Sequence, residues 1–151
     1  DRLLLLNLEP KRVIDLIVKK LIEIFNAESA AILLVNEKED SLDIFSAHGT
    51  SDQFVKATKI PFGSGVTGLA AKEKRVIRIN NVRDDKRYIS EADSKMNSEM
   101  AAPLIIDNKV IGVLNLESVE KYKFSRDDEV LLQDFALNAA IILKSVLKLK
   151  E

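Results

Sequence analysis

Apolar residues recur at intervals of three and four positions near both ends of this chain, and the periodicity predicts an amphipathic helix at each end. The first helix is expected to start at Pro10, because proline suits the first turn of a helix. The last helix is expected to start after Ser125, which forms a capping signature with Asp128. Residues 1–9 are interpreted as the end of a preceding helix or a linker, and residues 10–151 as a single domain.

Shorter apolar runs between the two helices predict strands. The continuous run 30–35 is typical of a strand buried on both faces, and a polar turn leads from it to a returning strand over residues 42–48. A second hairpin is expected over residues 100–118, with its turn at Asp107 and Asn108, two residues that tolerate positive φ. Because helices and paired strands follow one another in blocks, their order predicts an α+β fold with an antiparallel sheet.

The register of the second hairpin decides which side chains share a face of the sheet. With a two-residue turn, Leu104 is expected opposite Ile111. Alternation along the strand then places Ile111, Asn115 and Glu117 on one face, so that Asn115 is a polar group in a half-apolar wall. A buried amide needs a hydrogen-bond partner. Two partners remain open for it, the backbone near Ser98 or a bound ligand.

The sequence at residues 61–68, Pro-Phe-Gly-Ser-Gly-Val-Thr-Gly, admits two interpretations. Its three glycines, spaced G-x-G-x-x-G, match the dinucleotide-binding fingerprint, in which a tight turn directs a helix N-terminus at phosphate. That fingerprint requires a parallel βαβ unit and an acidic residue at the end of the second strand. The strand predicted at residues 76–79 ends in two asparagines, which disfavours a dinucleotide site.

Five short segments, at residues 60–68, 79–84, 100–105, 110–114 and 124–129, occur together in one order and spacing. Together they resemble the GAF domain family, whose members are small-molecule sensing modules of signalling proteins. The resemblance implies a GAF- or PAS-like six-stranded antiparallel sheet, with the N- and C-terminal helices on one face and a loop-covered pocket on the other. Under it, the first nine residues would end a preceding signalling helix.

The resemblance also implies where a ligand would lie. Residues 82–98 form a long polar segment of the kind that serves as a lid or binding loop. In ligand-holding GAF domains the pocket is built from a floor strand, the glycine turn and the two ends of this lid. The residues implied here are Phe45 and Ser46 in the floor, Val66 and Thr67 through their backbone amides, Asn81 and Arg83 at the start of the lid, and Met96, Asn97 and Asn115 closing the site.

A finer match concerns cyclic-nucleotide-binding GAF domains, which carry Asn-Lys followed by Phe-x-x-x-Asp-Glu. This chain has Asn-Lys at its second hairpin turn and Phe-Ser-Arg-Asp-Asp-Glu at residues 124–129. Lys109 would then pair with Asp128 and tie the hairpin to the last helix, whereas the simpler interpretation is a hairpin turn and a helix cap. Ala31 and Met96 stand where nucleotide binders place polar groups, so the ligand and any cofactor stay unidentified.

Composition narrows the kinds of chemistry expected. The chain has no cysteine, so it lacks a thiolate nucleophile, and on this ground thiol-dependent methionine sulfoxide reductases are excluded. Its one histidine, His48, lies at a strand end, and neither a metal site nor a Ser-His-Asp set is expected. Glu99 and Glu117 are interpreted as solvated charges rather than a catalytic pair. The net charge of −1 provides no field that would attract nucleic acid.

The last helix carries two apolar stripes, although one stripe is enough to cover a sheet. One of them repeats with heptad spacing, which predicts a homodimer whose first and last helices form a parallel bundle. The alternative is that both stripes are buried within one domain. The interface residues expected are Ile14, Ile17, Leu21, Leu132, Phe135, Ala139, Ile142 and Val146.

These expectations combine into a sensory and regulatory domain. It would bind an unidentified small molecule and transmit its state through the terminal helices of a dimer to an effector outside this fragment, such as a two-component kinase, a cyclase or a transcription activator. The domain is expected to be cytoplasmic, not an enzyme, without direct contact to nucleic acid and without membrane insertion. The alternative is an unliganded dimerisation scaffold whose pocket is filled by Phe45, Phe54 or Met96.

Overall fold

The computed structural model describes residues 9–49, 59–88 and 94–147. The predictions for residues 1–8 and for Phe54 lie outside the described residues. In the described ranges the helices are α1 (Pro10–Phe25), α2 (Gly65–Glu73) and α3 (Arg126–Leu147), the strands are β1 (Ser29–Asn36), β2 (Ser41–His48), β3 (Lys59–Pro61), β4 (Ile77–Ile79), β5 (Ser98–Ile106) and β6 (Lys109–Ser118), and a 3-10 helix spans Val82–Asp84.

The six strands form one sheet in the order β3-β2-β1-β6-β5-β4, and every neighbouring pair is antiparallel. Side chains alternate between the two faces, so that Ile32 and Leu114 pack under α1 and α3, whereas Leu33 and Val113 pack under α2. We call these the helix face and the pocket face. The predicted fold class is confirmed, and antiparallel pairing excludes the βαβ unit that a dinucleotide fingerprint needs.

The helix face is built by the apolar stripes of α1 and α3. α1 begins at Pro10, as the sequence predicts, and it ends where Asn26 adopts a left-handed φ of 50°. Its buried side chains include Ile14 and Leu21, and burying a side chain of this size contributes about 1.5–3 kcal/mol. The stripe of α3 that covers the sheet consists of Leu132, Ala136, Ala139, Ala140, Leu143 and Val146.

The N-terminus of α3 is closed by a reciprocal cap. The backbone N–H of Ser125 donates to the Asp128 carboxylate at 2.8 Å, and the N–H of Asp128 donates to Ser125 Oγ at 3.1 Å. Asp128 therefore does not pair with Lys109, which forms an ion pair with Glu37 instead. The tie between hairpin and helix that was inferred from the cyclic-nucleotide motif is wrong, and the simpler interpretation as a turn and a cap holds.

By length and hydropathy alone, α3 is apolar enough to cross a membrane. The core helix of a globular domain meets the same criterion, and here one stripe of α3 packs on the sheet. α3 thus belongs to the folded domain, with Leu132 and Leu143 fully buried in its core.

The predicted dimer seam is largely used inside the domain. Ile14, Leu21 and Leu132 are fully buried against the sheet, and Ala139 and Val146 are buried beside them. The remaining members also serve this core, because Ile17 is buried and Phe135 and Ile142 pack against it. The apolar side chains that α1 and α3 leave exposed are Leu16, Ile24, Val130, Leu131, Leu137 and Ile141.

The β5–β6 hairpin has the predicted two-residue turn but a shifted register. Asp107 and Asn108 both have positive φ, 50° and 65°, which suits a tight hairpin. A bulge follows, because Ile105 pairs with Val110 while Leu104 pairs with Gly112, and the residue between them has no partner. That residue, Ile111, packs towards the helix face, so its predicted place on the pocket face is wrong.

The glycine turn brings the N-terminus of α2 back over β3. Gly63 has a φ of +87° and donates its N–H to the Gly68 carbonyl oxygen at 2.8 Å. A Cβ atom added at Gly68 would lie 2.5 Å from the Pro61 carbonyl oxygen, so only glycine allows this approach. The turn therefore sets the first residues of α2 against the pocket face.

Candidate functional site

A pocket of about 220 Å³ lies on the pocket face of the sheet. Its walls come from residues 29–33 of β1, residues 44–47 of β2, the short strand β3, the start of α2, the start of β5 and the end of β6. The predicted pocket residues Val66, Thr67 and Asn115 are brought together there. The pocket is large enough to hold a small organic molecule, since it has room for roughly fifteen water-sized spheres.

One end of the pocket is a row of oxygen-bearing side chains. Register places Ser29 of β1 opposite Glu117 of β6, and Glu117 opposite Glu99 of β5. All three line the pocket, and Glu99 is only 8% exposed. The interpretation of these glutamates as solvated charges is therefore corrected, because pairing between β5 and β6 places them side by side in a pocket wall. We call Ser29, Glu99 and Glu117 the acidic row.

Asn115 lies two residues before Glu117, between Ala31 and Ala101 on the neighbouring strands. It is 8% exposed, and its Oδ1 accepts no hydrogen bond from the described part of the chain. The expected bond to the backbone near Ser98 is absent among these residues. A buried acceptor without a donor costs about 1–3 kcal/mol, which makes Asn115 a candidate ligand contact.

Another part of the wall is the start of α2. Ser64 is the N-cap residue, yet its side chain makes no capping hydrogen bond to the first turn. Ser64, Gly65, Val66 and Thr67 all line the pocket. The first amide groups of a helix have no acceptor within the helix, and they carry the positive end of its dipole. This wall is therefore suited to an anionic or strongly dipolar group.

Phe45 and Ser46 do not form the floor of the pocket. A bulge in β2 leaves Phe45 between the pairs Ser46–Ile32 and Ile44–Leu33, and Phe45 packs against the helix-face core. Ser46 Oγ donates to Asp15 of α1 on the same face. The floor is made instead by Ile44 and Ala47, which line the pocket on either side of the two predicted residues.

The Ser46 contact belongs to a polar cluster beneath α1. Burial raises the pKa of the Asp15 carboxyl, but the hydrogen bond from Ser46 and the charge of Lys11 outweigh it and hold this pKa below its ordinary value. His48 Nε2 lies 3.9 Å from Asp15 Oδ1. The cluster joins α1 to β2, and it lies on the opposite face of the sheet from the pocket.

The remaining predicted contacts lie outside the pocket wall. Asn81 Oδ1 accepts the N–H of Arg83 and caps the 3-10 helix, while the Arg83 side chain is exposed. Asn97 donates its side-chain amide to the Val119 carbonyl oxygen at 2.7 Å. Met96 does not line the pocket, so neither it nor Phe45 fills the cavity.

Several lining residues were missed because contacts distant in sequence place them. Tyr88 lines the pocket from the segment after the 3-10 helix, and Lys59 lines it from β3. Lys59 Nζ donates to Glu39 at 2.8 Å, and that bond raises the lysine pKa. The sequence did contain a signal for Glu117 as a pocket residue, because strand alternation places it on the same face as Asn115. Among the described residues, no three His, Asp or Glu side chains converge as a metal site.

Comparison with known proteins identifies the family. The sequence pattern described as the GAF domain matches residues 7–144. Protein YtsP of Bacillus subtilis is 38% identical over 78 residues, covering 52% of this chain and 47% of the relative. The free methionine-R-sulfoxide reductase of Escherichia coli is 36% identical over 75 residues, covering 50% and 45%. The chain thus spans about half the length of these relatives.

A solved structure shares the fold along nearly the whole chain. It is the free methionine-R-sulfoxide reductase of Neisseria meningitidis in complex with its substrate, with a TM-score of 0.84 and 23% identity, covering 97% of this chain and 86% of that one. These relatives contradict two predictions made from the sequence, that the chain is a sensory domain signalling to an effector and that it is not an enzyme. The absence of cysteine was used to exclude methionine sulfoxide reductases as relatives of this chain. That exclusion was wrong, because the chain is similar to one of them in sequence.

Proposed function

The chain belongs to the GAF domain family, and from that premise we propose that its pocket binds free methionine sulfoxide as a substrate site. The observation that carries the proposal is the composition of the pocket wall. An acidic row stands at one end, Asn115 in the middle and apolar side chains such as Leu33 and Ile44 beyond it. Free methionine sulfoxide offers matching groups, namely an ammonium, polar oxygens and an apolar methylene chain.

The acidic row is suited to the ammonium group of a free amino acid. Glu99 and Glu117 pair directly across β5 and β6, and both side chains line the same part of the pocket wall. An ammonium group placed between them would donate a charge-assisted hydrogen bond to each carboxylate. The same ammonium would supply a donor to the Asn115 amide oxygen, which lies on the same strand face.

The start of α2 is suited to the oxygen-bearing groups of the ligand. The amide groups of Gly65, Val66 and Thr67 would bind a carboxylate or a sulfoxide oxygen, because helix N-termini attract negative charge. Leu33, Ile44 and Ala47 provide the apolar surface for the methylene groups and the methyl group. This arrangement favours a free amino acid over a peptide, whose blocked ammonium would not pair with the acidic row.

Reduction of the bound sulfoxide requires two electrons, and this chain has no cysteine to supply them. We therefore assign the reductant to a thiol from outside the chain. In the balanced reaction two thiols become one disulfide, the sulfur–oxygen bond breaks, and the oxygen leaves as water with both thiol protons. The residues of the pocket hold the sulfoxide and its charged groups while the external thiol reacts.

Titration calorimetry tests the binding site. The R and S epimers of free methionine sulfoxide are titrated separately, with N-acetylmethionine sulfoxide as the ligand that lacks an ammonium. We expect the free R epimer to bind and the acetylated compound to bind much more weakly. Glu117→Gln should weaken binding about ten-fold or more, because hydrogen bonds between charged groups contribute about 1.5–3 kcal/mol. Glu23→Gln, at an exposed position of α1, is the matched control.

A second assay tests turnover. Formation of methionine from the R epimer is followed by chromatography with dithiothreitol as the external thiol, with and without protein. Acceleration that Glu117→Gln removes and Glu23→Gln preserves would support the reductase assignment. Equal binding of free and acetylated sulfoxide would overturn the role of the acidic row, and absence of binding by either epimer would overturn the proposed ligand.

We also propose a homodimer, formed through the exposed apolar side chains of α1 and α3 rather than through the predicted seam. On α1 the exposed Leu16 has Arg12, Lys19 and Lys20 as neighbours three and four positions away, whereas α3 exposes Leu137 and Ile141 beyond an acidic first turn. Opposite charges and apolar surface would bring α1 of one copy against α3 of another. Separately, we propose that the protein is located in the cytoplasm.

A further inference from the structure

Asn97 connects three segments of the chain at the edge of the pocket. Its side-chain amide donates to the carbonyl oxygens of Val119 at 2.7 Å and Lys95 at 3.3 Å. Its backbone N–H donates to the Ser118 carbonyl oxygen at 2.8 Å, and its own carbonyl oxygen accepts the Val82 N–H at 2.8 Å. One residue thereby joins the 3-10 helix, the segment before β5 and the end of β6.

The next residue continues these connections. Ser98 Oγ donates to the Glu120 carbonyl oxygen at 2.7 Å, and the Glu120 N–H donates to Ser118 Oγ at 3.1 Å. Ser98 and Ser118 are fully buried and pair directly across β5 and β6. We call Asn97, Ser98 and Ser118 the latch. It lies immediately beside the Glu99–Glu117 pair in the same two strands.

We infer that Asn97 is a positioning residue, which holds the acidic row in register without touching the ligand. Strand ends open more readily than strand centres, and both glutamates lie near the open end of the β5–β6 hairpin. The latch closes that end through side-chain bonds to backbone carbonyl groups. The predicted effect of the latch on ligand affinity rests on the proposed function, whereas its predicted effect on the strand ends does not.

The variant Asn97→Asp removes the two side-chain N–H donors and keeps the shape of the residue. The matched control is Asn138→Asp on α3, where the same type of side-chain donor bonds the Asp134 carbonyl oxygen at 3.1 Å. We expect Asn97→Asp to weaken binding of free methionine-R-sulfoxide about ten-fold or more, and the control to bind like the wild type. The added negative charge would by itself favour the ammonium group held at the neighbouring acidic row, so weaker binding reports the lost donors.

Amide hydrogen exchange on the unliganded protein gives a readout that does not depend on any ligand. In Asn97→Asp, exchange should accelerate at residues 98–101 and 117–120 and stay unchanged in α1 and at residues 32–35 of β1, which lie away from the open end of the hairpin. Ser98→Ala, which removes a single bond of the latch, should accelerate exchange in the same places by a smaller factor. A general loss of stability would instead accelerate exchange throughout the sheet.

The outcomes separate the two proposals. Wild-type affinity of Asn97→Asp, or faster exchange at the latch with unchanged affinity, would overturn the positioning role. Uniformly faster exchange would also overturn it, since Asn97 would then stabilise the whole domain. If the wild type itself does not bind the sulfoxide, the proposed function fails, and unchanged exchange at residues 98–101 would separately refute the latch.

Discussion

Replacing Asn115 by leucine should make the unliganded protein more stable and abolish ligand binding. Asn115 is 8% exposed, and its Oδ1 lacks a donor among the described residues. Leaving such an acceptor unpaired costs about 1–3 kcal/mol, and leucine has a similar shape without the polar group. Removing the cost should therefore raise the free energy of unfolding by about 1 kcal/mol or more.

The assay is thermal unfolding of the unliganded proteins, followed by calorimetric titration with free methionine-R-sulfoxide. A gain of about 1 kcal/mol raises the melting temperature by about 2–4 °C in a protein of this size. Asn80→Leu is the control, because Asn80 Oδ1 already accepts a hydrogen bond from Arg78 at 3.2 Å. That control should lower stability by about 0.5–1.5 kcal/mol.

A loss of stability in Asn115→Leu would refute the reasoning, because it would show that the amide is satisfied in the unliganded protein. Increased stability with unchanged ligand affinity would contradict the assignment of Asn115 to the ligand. Increased stability together with lost affinity is the expected result. It would show that the polar residue at this position serves binding at the expense of the fold.

Three further predictions concern the fold. The stability that ionised Asp15 contributes should be fully present above the carboxyl's ordinary pKa of 3.8, and it should be lost as the pH falls through the lower pKa of the folded state. Ser46→Ala should reduce this loss in an acid-unfolding titration. Gly68→Ala should cost about 1–3 kcal/mol in urea unfolding, since its methyl group would meet a carbonyl oxygen at 2.5 Å; wild-type stability would contradict this. Leu132→Ala, at a fully buried residue, should cost about 2–5 kcal/mol, whereas Leu131→Ala, at a 46% exposed residue, should cost far less; equal losses would refute the assignment of the two stripes.

The predictions that held depend on neighbours in sequence. Pro10 starts α1, Ser125 and Asp128 cap α3, and Asp107 and Asn108 form the hairpin turn. Each of these features follows from the conformational preferences of a few adjacent residues. The alternation of β6 likewise placed Asn115 on the pocket face, because successive side chains point to opposite sides of a strand.

The predictions of which face of the sheet a side chain occupies failed at bulges. One extra residue in β2 turns Phe45 and Ser46 away from the pocket, and one in β6 turns Ile111 to the helix face. A bulge reverses the facing of every residue counted past it, and nothing in the apolar pattern marks either one. The dinucleotide interpretation of the glycine turn, in contrast, was rightly disfavoured. The strand that follows the turn and α2 is β4, which pairs antiparallel and so forms no parallel βαβ unit.

Local periodicity, capping and motif spacing were enough to predict the fold class, the family and the starts of the two terminal helices. The site depends on tertiary contacts instead. Glu99 and Glu117 are 18 residues apart in the chain, and only the pairing of β5 with β6 makes them neighbours in a pocket wall. The same holds for the stripes of α3, which look alike in sequence until packing on the sheet buries Leu132 and exposes Leu131. Pairing and burial depend on contacts between distant parts of the chain, which local sequence patterns do not reveal.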